Sequence, residues 1–320
     1  MLKDLKFVAS GIARKDFVQA LQHFRIENRT IKAFNGMMGL SCPIDLDLDV
    51  TPKADSFIKA IQTCKDTIAL HVTSKGKLSI KSGNFKAMIE CIPKETYPEI
   101  NPEGDFIDLT MPILSTIKKL APFISEDASR PWSRGVLFKG QSAYATNNII
   151  LLEAWLGVNF PVTVNIPRDA INELIRINEE PLKMQVSANR ITFHFEGDRW
   201  LSCQTFSTEW PNLSKLLDKD CMPEKFPEGL FDAIEDLSPF VDELERIWMN
   251  AGIVKTSFDD ESAASVELES IKHECCFNHK HFLSLKPIAE TIDLSTHPMP
   301  CLFFGDKIRG AIVGMKIHAS

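Results

Sequence analysis

An internal repeat constrains the fold of this chain more than any other feature of its sequence. The strand-like stretch 77–80 recurs 113 residues later at 190–193, and Tyr97-Pro98 recurs at the same distance as Trp210-Pro211. A third, fainter copy occupies 278–317. One such unit of a helix and a few strands cannot bury both faces of its sheet, so neighbouring copies must complete its core.

The segments between these copies repeat as well. An apolar stripe at i, i+3, i+7 and i+10, broken only by Ser238, occurs three times, with offsets of 112 and then 117 residues: Leu2, Leu5, Ala9, Ile12; Leu114, Ile117, Ala121, Ile124; Phe231, Ile234, Ser238, Val241. This spacing is one face of a helix. The offset of 117 also aligns Gly135-Val136-Leu137 with Gly252-Ile253-Val254.

These repeats predict an α+β fold of three tandem domains, 1–103, 104–220 and 221–320, each with two helices packed on antiparallel sheets. Within the second domain, Arg168–Ile177 is predicted as a helix. The alternation of Ile191, Phe193 and Phe195 predicts a strand with one buried face. In the first domain, 17–27 is predicted as a strand, and Asn35-Gly36 as a hairpin turn.

Composition limits the classes of function. The net charge is −7, from 36 Lys and Arg against 43 Asp and Glu, which argues against a tight nucleic-acid binder. A protein whose few basic residues gather on one surface still fits this charge. No apolar run approaches the ~20 residues of a membrane span, and the start of the chain lacks a signal peptide's apolar stretch. The eight cysteines include no C-x-x-C pair, so we expect reduced thiols and a cytoplasmic protein.

No catalytic or cofactor motif is present, so we expect a protein that is not an enzyme and holds no cofactor. The nearest approach to a metal site is His273, Cys275, Cys276 and His279, with His281 following. Its spacing fits no usual zinc pair, which favours buried cysteines and helix-face histidines over a metal. The sequence leaves open whether this cluster binds metal.

Five stretches resemble the bacterial DNA polymerase III β subunit, the sliding clamp family. The first stretch is LSIKSG at 78–83, and the second, ATNN at 145–148, resembles the family's A-T-D-G. WPNLSKLL at 210–217 resembles its F-P-D-Y-x-x-x-L, and FNHKHFL at 277–283 resembles its F-N-x-x-Y-V-L. AIVGMKI at 311–317 resembles its Y-V-V-M-P-M. The chain departs from the family where D-G-H-R is replaced at 147–150, at Lys316 in place of proline, and in the tail 318–320. These departures point to a divergent clamp, and a phage-encoded one would fit them.

The resemblance implies a ring of six domains, built from two subunits joined head to tail as a homodimer. Helices would line the hole, and sheets continuous across domain boundaries would cover strand edges. Such a processivity factor encircles double-stranded DNA without reading its sequence and tethers a DNA polymerase. Polymerase and clamp loader bind it through short peptides, in the cytoplasm at the nucleoid. The alternative is a clamp-fold interaction protein, or decoy, that binds clamp-binding peptides without encircling DNA.

The resemblance also assigns site residues position by position. The peptide pocket between the second and third domains would comprise Thr146, Asn148, Leu151, Pro211, Lys215, Leu216, Asn278, His281, Val313, Met315 and Ile317. Met315 is the preferred anchor contact, because a flexible thioether suits a pocket that accepts several ligands. The DNA-facing side chains would be Lys3, Lys6, Lys53, Lys59, Lys118, Lys119, Arg168, Arg176, Lys280 and Lys286.

Overall fold

The computed structural model describes residues 1–14, 18–206, 209–258 and 263–316. Its α-helices are α1 Leu2–Val8, α2 Ala54–Thr63, α3 Leu114–Leu120, α4 Arg168–Ile177, α5 Ser214–Leu217, α6 Leu230–Leu237 and α7 His279–Leu283. Its strands are β1 Arg25–Glu27, β2 Thr30–Phe34, β3 Met38–Pro43, β4 Ala69–Val72, β5 Leu78–Ser82, β6 Phe85–Ile89, β7 Phe106–Asp108, β8 Gly135–Lys139, β9 Ser142–Thr146, β10 Ile150–Trp155, β11 Val164–Pro167, β12 Lys183–Val186, β13 Arg190–Phe195, β14 Arg199–Gln204, β15 Glu224–Lys225, β16 Arg246–Asn250, β17 Ile253–Lys255, β18 Ser265–Glu267, β19 Cys275–Asn278, β20 Thr291–Ile292, β21 Cys301–Gly305 and β22 Ile308–Ile312. None of the described helices is long and apolar enough to cross a membrane.

The helices α1, α3 and α6 confirm the first part of the repeated stripe, but its last residues, Ile12, Ile124 and Val241, have extended backbone beyond the helical turns. Each helix is followed directly by one 3-10 turn: Ala9–Gly11, Ala121–Phe123 and Ser238–Phe240. The equivalent residues Leu5, Ile117 and Ile234 are buried. In the second and third copies the turn contains Pro122 or Pro239, which has no N–H for another α-helical hydrogen bond, so the helix ends there.

The chain divides into two compact units. The first unit is Met1–Leu114 with Ile166–Ser207, and the second is Ser115–Asn165 with Thr208–Ser320. These units follow the sheets rather than the sequence repeats. The domain limits at 103/104 and 220/221 therefore stay predictions.

The first unit contains a seven-stranded antiparallel sheet in the order β1-β2-β3-β14-β13-β12-β7. Ile191, Phe193 and Phe195 of β13 are buried, as the alternation predicts. Thr192 between them is buried too, and it donates a hydrogen bond of 2.9 Å to Ser202 of β14. The central strands are therefore covered on both faces rather than on one.

The second unit contains most of an eight-stranded sheet in the order β11-β8-β9-β10-β22-β21-β20-β15. The chain passes from the second unit to the first within β11, after Asn165. Strands β3 and β14 pair across the first two sequence repeats, and β10 and β22 pair across the last two. The prediction of sheets that continue from one repeat to the next is confirmed by these pairings.

Two smaller sheets repeat halves of this pattern. The sheet β4-β5-β6 lies in the first unit, and the sheet β19-β16-β17-β18 lies in the second. The order β19-β16-β17-β18 matches β11-β8-β9-β10, so β16 is the counterpart of β8. The alignment of Gly135–Leu137 with Gly252–Val254 is therefore wrong by one strand, because short apolar strands resemble one another and only their pairing distinguishes them.

The predicted strand at 17–27 is also wrong over much of its length. Gln19–Gln22 forms a 3-10 turn, and the strand is limited to Arg25–Glu27. Ala20 and Leu21 are both buried although they are adjacent, which a strand with one buried face does not allow. Residues 15–17 lie outside the described residues.

Candidate functional site

One face of the eight-stranded sheet, here called the Leu151 face, carries a small apolar cluster. Leu151 of β10 lies opposite Ala311 of β22, which lies opposite Leu302 of β21. With Leu217 of α5 these residues form a buried cluster, in which each is at most 6% exposed. The cluster arises because every second residue of a strand points to the same side of a sheet.

Aromatic and apolar side chains surround this cluster. Trp210, Leu213, Cys221 and Phe304 pack against it and remain partly accessible. Trp210 also meets Trp132 edge to face, with ring centroids 5.1 Å apart. An apolar floor with an aromatic rim is the composition of a pocket that buries one anchor side chain of a partner.

The turn before β10 holds two of the predicted pocket residues. The hydroxyl of Thr146 donates to the Ile150 carbonyl at 2.8 Å and accepts from the Asn148 amide at 3.1 Å. Asn148 has φ +73°, a left-handed conformation that asparagine adopts more readily than most residues. Its side chain donates to Ser125 and accepts from Arg130, so the turn is held rigidly.

The C-terminal segment lies beside this turn. The Val313 amide donates to the Ile149 carbonyl at 2.9 Å, and the Met315 amide donates to the Cys276 carbonyl at 2.7 Å. Val313 is 41% exposed and Met315 is half-buried. Both side chains can therefore be reached by a ligand, while their backbones are fixed. Ile317, the remaining predicted residue of this segment, lies outside the described residues.

Asn278 and His281 stand at the start of α7. Asn278 caps this helix by accepting the His281 amide, and its side chain donates to Glu245 at 3.2 Å. The His281 ring approaches Asn147 at 3.5 Å, which brings α7 to the turn before β10. Burial lowers the pKa of His281 although Glu245 opposes the shift, so the ring is neutral at neutral pH.

The loop 210–217 places its predicted residues differently. Leu216 is 37% exposed, whereas its neighbour Leu217 is 3% exposed and belongs to the cluster. Pro211 and Lys215 are exposed. The sequence did not select Trp210, Leu213, Leu217, Leu302 or Phe304; period-two alternation in CLFFG was the available signal for the last two.

A polar network lies next to the cluster on the Leu151 face. Glu153 accepts from the Arg309 Nε at 2.6 Å and from the Tyr144 hydroxyl at 2.9 Å. Arg309 also pairs with Asp218 at 2.8 Å. Burial, followed by the bond to Glu153, raises the pKa of Tyr144 to about 12, so this hydroxyl stays a donor.

The cysteine and histidine cluster does not form a metal centre in the described chain. Among the described residues, no three His, Cys, Asp or Glu side chains are placed to hold an ion. Burial raises the pKa of Cys275 and Cys276 to about 12, which keeps both thiols neutral. His279 is buried with its Nδ1 3.0 Å from the Glu245 carbonyl oxygen.

Basic residues gather on the first unit. Lys6, Arg14, Lys53 and Arg176 line a cavity of about 440 Å³ in which Asp55 is the one acidic lining residue among those described. An adjoining cavity of about 520 Å³ adds Lys3 and Arg199 but also three acidic side chains. Arg14 was not among the DNA-facing residues assigned from the family resemblance.

Several predicted DNA-facing residues are already paired. In the second unit, Lys119 lies 3.8 Å from Asp306, Lys280 pairs with Glu245, and Lys286 pairs with Asp232 and Glu235. In the first unit, Arg176 donates to Glu173 from Nε at 2.9 Å. Other predicted positions stand on helices or beside them and are exposed or half-buried: Lys3, Lys6, Lys53, Lys59, Lys118 and Arg168. Among these, Lys6 and Lys53 line the basic cavity of the first unit and form no ion pair with the described residues.

The sequence and the structure were compared with those of known proteins. Neither a protein-family model nor a curated protein matches the sequence. Among solved structures, the Caulobacter crescentus β sliding clamp is 18% identical with a TM-score of 0.84, and the Bacillus subtilis DNA polymerase sliding clamp is 14% identical with a TM-score of 0.84. The Helicobacter pylori β clamp bound to a DNA ligase peptide is 18% identical with a TM-score of 0.80. Each match covers 99% of this chain and 97% of the other. The chain therefore has the fold of the bacterial DNA polymerase III β sliding clamps, at a sequence identity that makes it a divergent example of that fold.

Proposed function

We propose that this protein is a sliding clamp, a ring that encircles double-stranded DNA in the cytoplasm and tethers a DNA polymerase for processive replication. The observation that carries this proposal is the way the repeated sheets are joined. A sliding clamp is held on DNA by ring closure rather than by tight contacts, and this function requires no catalytic residue.

The two large sheets show what the smaller sheets lack. In the first, β3 of one repeat pairs with β14 of the next, and in the second, β10 pairs with β22. Strand β18 occupies the position of β3 and β10, and β6 occupies the position of β14 and β22. Both β18 and β6 are edge strands in the described chain. Pairing of β18 with β6 of a second copy would complete a third large sheet, and two such pairings close a homodimer.

The DNA contact is proposed to be weak and independent of sequence. Lys6, Arg14 and Lys53 line one cavity of the first unit, where they would meet phosphates as point charges. A closed ring retains DNA by topology, so it slides because no single contact is strong. The net charge of −7 is compatible with this role because the basic residues are grouped.

The apolar cluster of the Leu151 face is proposed to form the floor of a pocket that binds short peptides of a polymerase and a clamp loader. The Helicobacter pylori β clamp, which shares the fold, is bound to a DNA ligase peptide. Here the floor of Leu151, Leu217 and Leu302 would bury an apolar anchor. Met315→Ala should weaken binding roughly 5- to 150-fold, the usual range for truncation of an interface anchor. Unchanged binding of the peptide to Met315→Ala would mean that the C-terminal segment does not form part of the pocket.

A second candidate is a decoy that binds clamp-binding peptides without closing on DNA. The pairing of Lys280 with Glu245 and of Lys286 with Asp232 favours it, because these lysines offer little charge to DNA. A decoy keeps the peptide pocket but has no need of β18 pairing.

Molar mass and topological retention distinguish the two candidates. Light scattering should give about twice 36.0 kDa for the clamp. Inward hydrogen bonds of Ala264 and Leu268 leave the Glu267 amide pointing away from β17. Glu267→Pro removes this outward N–H, so it should abolish the dimer without disturbing the sheet of β18. Glu267→Thr keeps the N–H and should leave the dimer intact.

Retention on DNA completes the test. The wild-type protein is incubated with linear plasmid, over whose free ends a closed ring can thread, and the plasmid is then circularised with ligase. The complex should survive gel filtration in high salt, and cutting the plasmid should release the protein. Glu267→Pro should not be retained. A wild-type protein that is monomeric at micromolar concentration and is never retained would overturn the clamp proposal in favour of the decoy.

A further inference from the structure

A groove adjoins the apolar cluster of the Leu151 face. It has a volume of about 380 Å³ and is lined by Trp155, Phe304, Lys307 and Ile308, with Glu153 and Arg309 at one end. Trp155 is 50% exposed, although large aromatic side chains are usually covered in an isolated chain. An accessible aromatic residue beside a concave surface is a common feature of binding sites.

The groove and the Leu151 cluster share one residue, Phe304. Phe304 packs against the buried Leu151 cluster and also lines the groove. Leu151, Glu153 and Trp155 are alternate residues of β10 and so share a face. Four residues of strand separate Leu151 from Trp155, a distance of about 13 Å, which an extended peptide of similar length also spans.

The charge of the groove indicates what it would bind. Arg309 is neutralised by Glu153 at 2.6 Å and by Asp218 at 2.8 Å. Lys307 is exposed and forms no ion pair with any residue that the structure describes. The neighbouring Asp306 lies 3.8 Å from Lys119. The network of Arg309 with two carboxylates has a net charge of −1, so Lys307 is the one cation lining the groove, among the described residues, that has no carboxylate partner.

We propose that this groove is a second compartment for the same partner peptide. It takes an aromatic or large aliphatic side chain about four residues from the anchor in the pocket, with a neighbouring carboxylate that pairs with Lys307. The network of Glu153, Arg309 and Asp218 separates the two compartments and sets the spacing between the anchors. The inference rests on the proposed function, since it assumes that the pocket binds peptides.

Phage selection on the purified protein provides the probe. Random peptides of about twelve residues span both compartments in an extended conformation. The selected peptide is synthesised with a fluorescent label, together with a truncated form that keeps only the residues needed for the pocket. Dissociation constants are measured by fluorescence anisotropy for wild type, Trp155→Ala, Lys307→Glu and Met315→Ala.

Trp155→Ala should weaken the full peptide about tenfold and leave the truncated peptide unchanged. Lys307→Glu should weaken the full peptide at low salt, with a smaller loss at high salt. Phe106→Ala is the matched control, because Phe106 is 63% exposed but belongs to the first unit. It should bind both peptides like wild type.

The outcomes separate the two proposals. Loss of binding in Met315→Ala, with unchanged binding of the full peptide in both Trp155→Ala and Lys307→Glu, would overturn the groove and leave the pocket standing. Equal loss of both peptides in Trp155→Ala would also overturn it, because the effect would then be on the fold or the pocket. Failure to select any peptide would overturn pocket and groove together.

Discussion

The distribution of paired and unpaired lysines predicts which of them contact DNA. Lys6 and Lys53 line the basic cavity and form no ion pair within the described chain. Lys280 and Lys286 are held by Glu245 and by Asp232 and Glu235. The double variant Lys6→Gln with Lys53→Gln should therefore weaken binding to a short linear duplex. Lys280→Gln with Lys286→Gln removes the same formal charge and serves as the matched control.

The size of the effect follows from counterion release. Each phosphate contact contributes about 0.9 to the slope of log K against log salt, so losing two contacts should reduce the slope by about 1.8. Between about 50 and 200 mM salt, the difference in affinity between wild type and the Lys6/Lys53 variant should shrink about tenfold. Fluorescence anisotropy across a salt series measures this slope directly, and a short linear duplex removes retention by topology.

The control decides whether local pairing matters. The Lys280/Lys286 variant should change the slope by less than half as much as the Lys6/Lys53 variant. Equal changes in both would mean that the lysines act through net charge alone. No change in the Lys6/Lys53 variant would refute the assignment of the basic cavity to phosphate contact. Thermal unfolding of both variants checks that neither has lost its fold.

Three further predictions concern stability and thiol chemistry. Arg309→Met leaves the Glu153 carboxylate, whose side chain is 11% exposed, with the Tyr144 hydroxyl and no cation. Urea unfolding should show a loss of about 2 kcal/mol, below the full value for a buried pair because Arg309 is itself partly exposed. Adding Glu153→Leu should recover most of that loss, and a purely additive double variant would contradict the account. The hydrogen bond from Arg199 lowers the pKa of Glu179, so this pair stabilises the protein above the ordinary pKa of glutamate and loses that contribution as pH falls. Arg199→Gln should therefore cost at most about 1 kcal/mol at neutral pH, and the difference from wild type should narrow in acid; a constant difference across pH would mean that packing of Arg199 over Phe7 dominates. Burial raises the pKa of five thiols to about 11 or 12: Cys42, Cys203, Cys275, Cys276 and Cys301. A thiol reagent should therefore modify the native protein only at the partly accessible Cys64, Cys91 and Cys221. Rapid labelling of any of the five buried thiols in the native protein would refute this prediction.

The site shows where residue-by-residue assignment from a motif stops. The stretch 210–217 was identified from its sequence, but the structure buries Leu217 rather than Leu216. A one-residue difference on a single helical turn changes which face a side chain occupies, and motif spacing does not resolve that difference. Lys286 looked available for DNA because motif spacing does not show its partners, Asp232 and Glu235 of α6, which lie 54 and 51 residues earlier in the chain.

The sequence by itself determined the repeat and much of the local structure. The stripe at Leu2, Leu114 and Phe231 predicted three equivalent helices, and Arg168–Ile177 was predicted with the bounds that α4 has. These predictions succeed because a helix face and a strand face are periodic in nearby residues. The tertiary structure alone decided that β10 pairs with β22, that β16 rather than β17 is the counterpart of β8, and which lysines are neutralised. Pairing between distant strands and ion pairs between distant segments of the chain depend on three-dimensional proximity, which local periodicity does not encode.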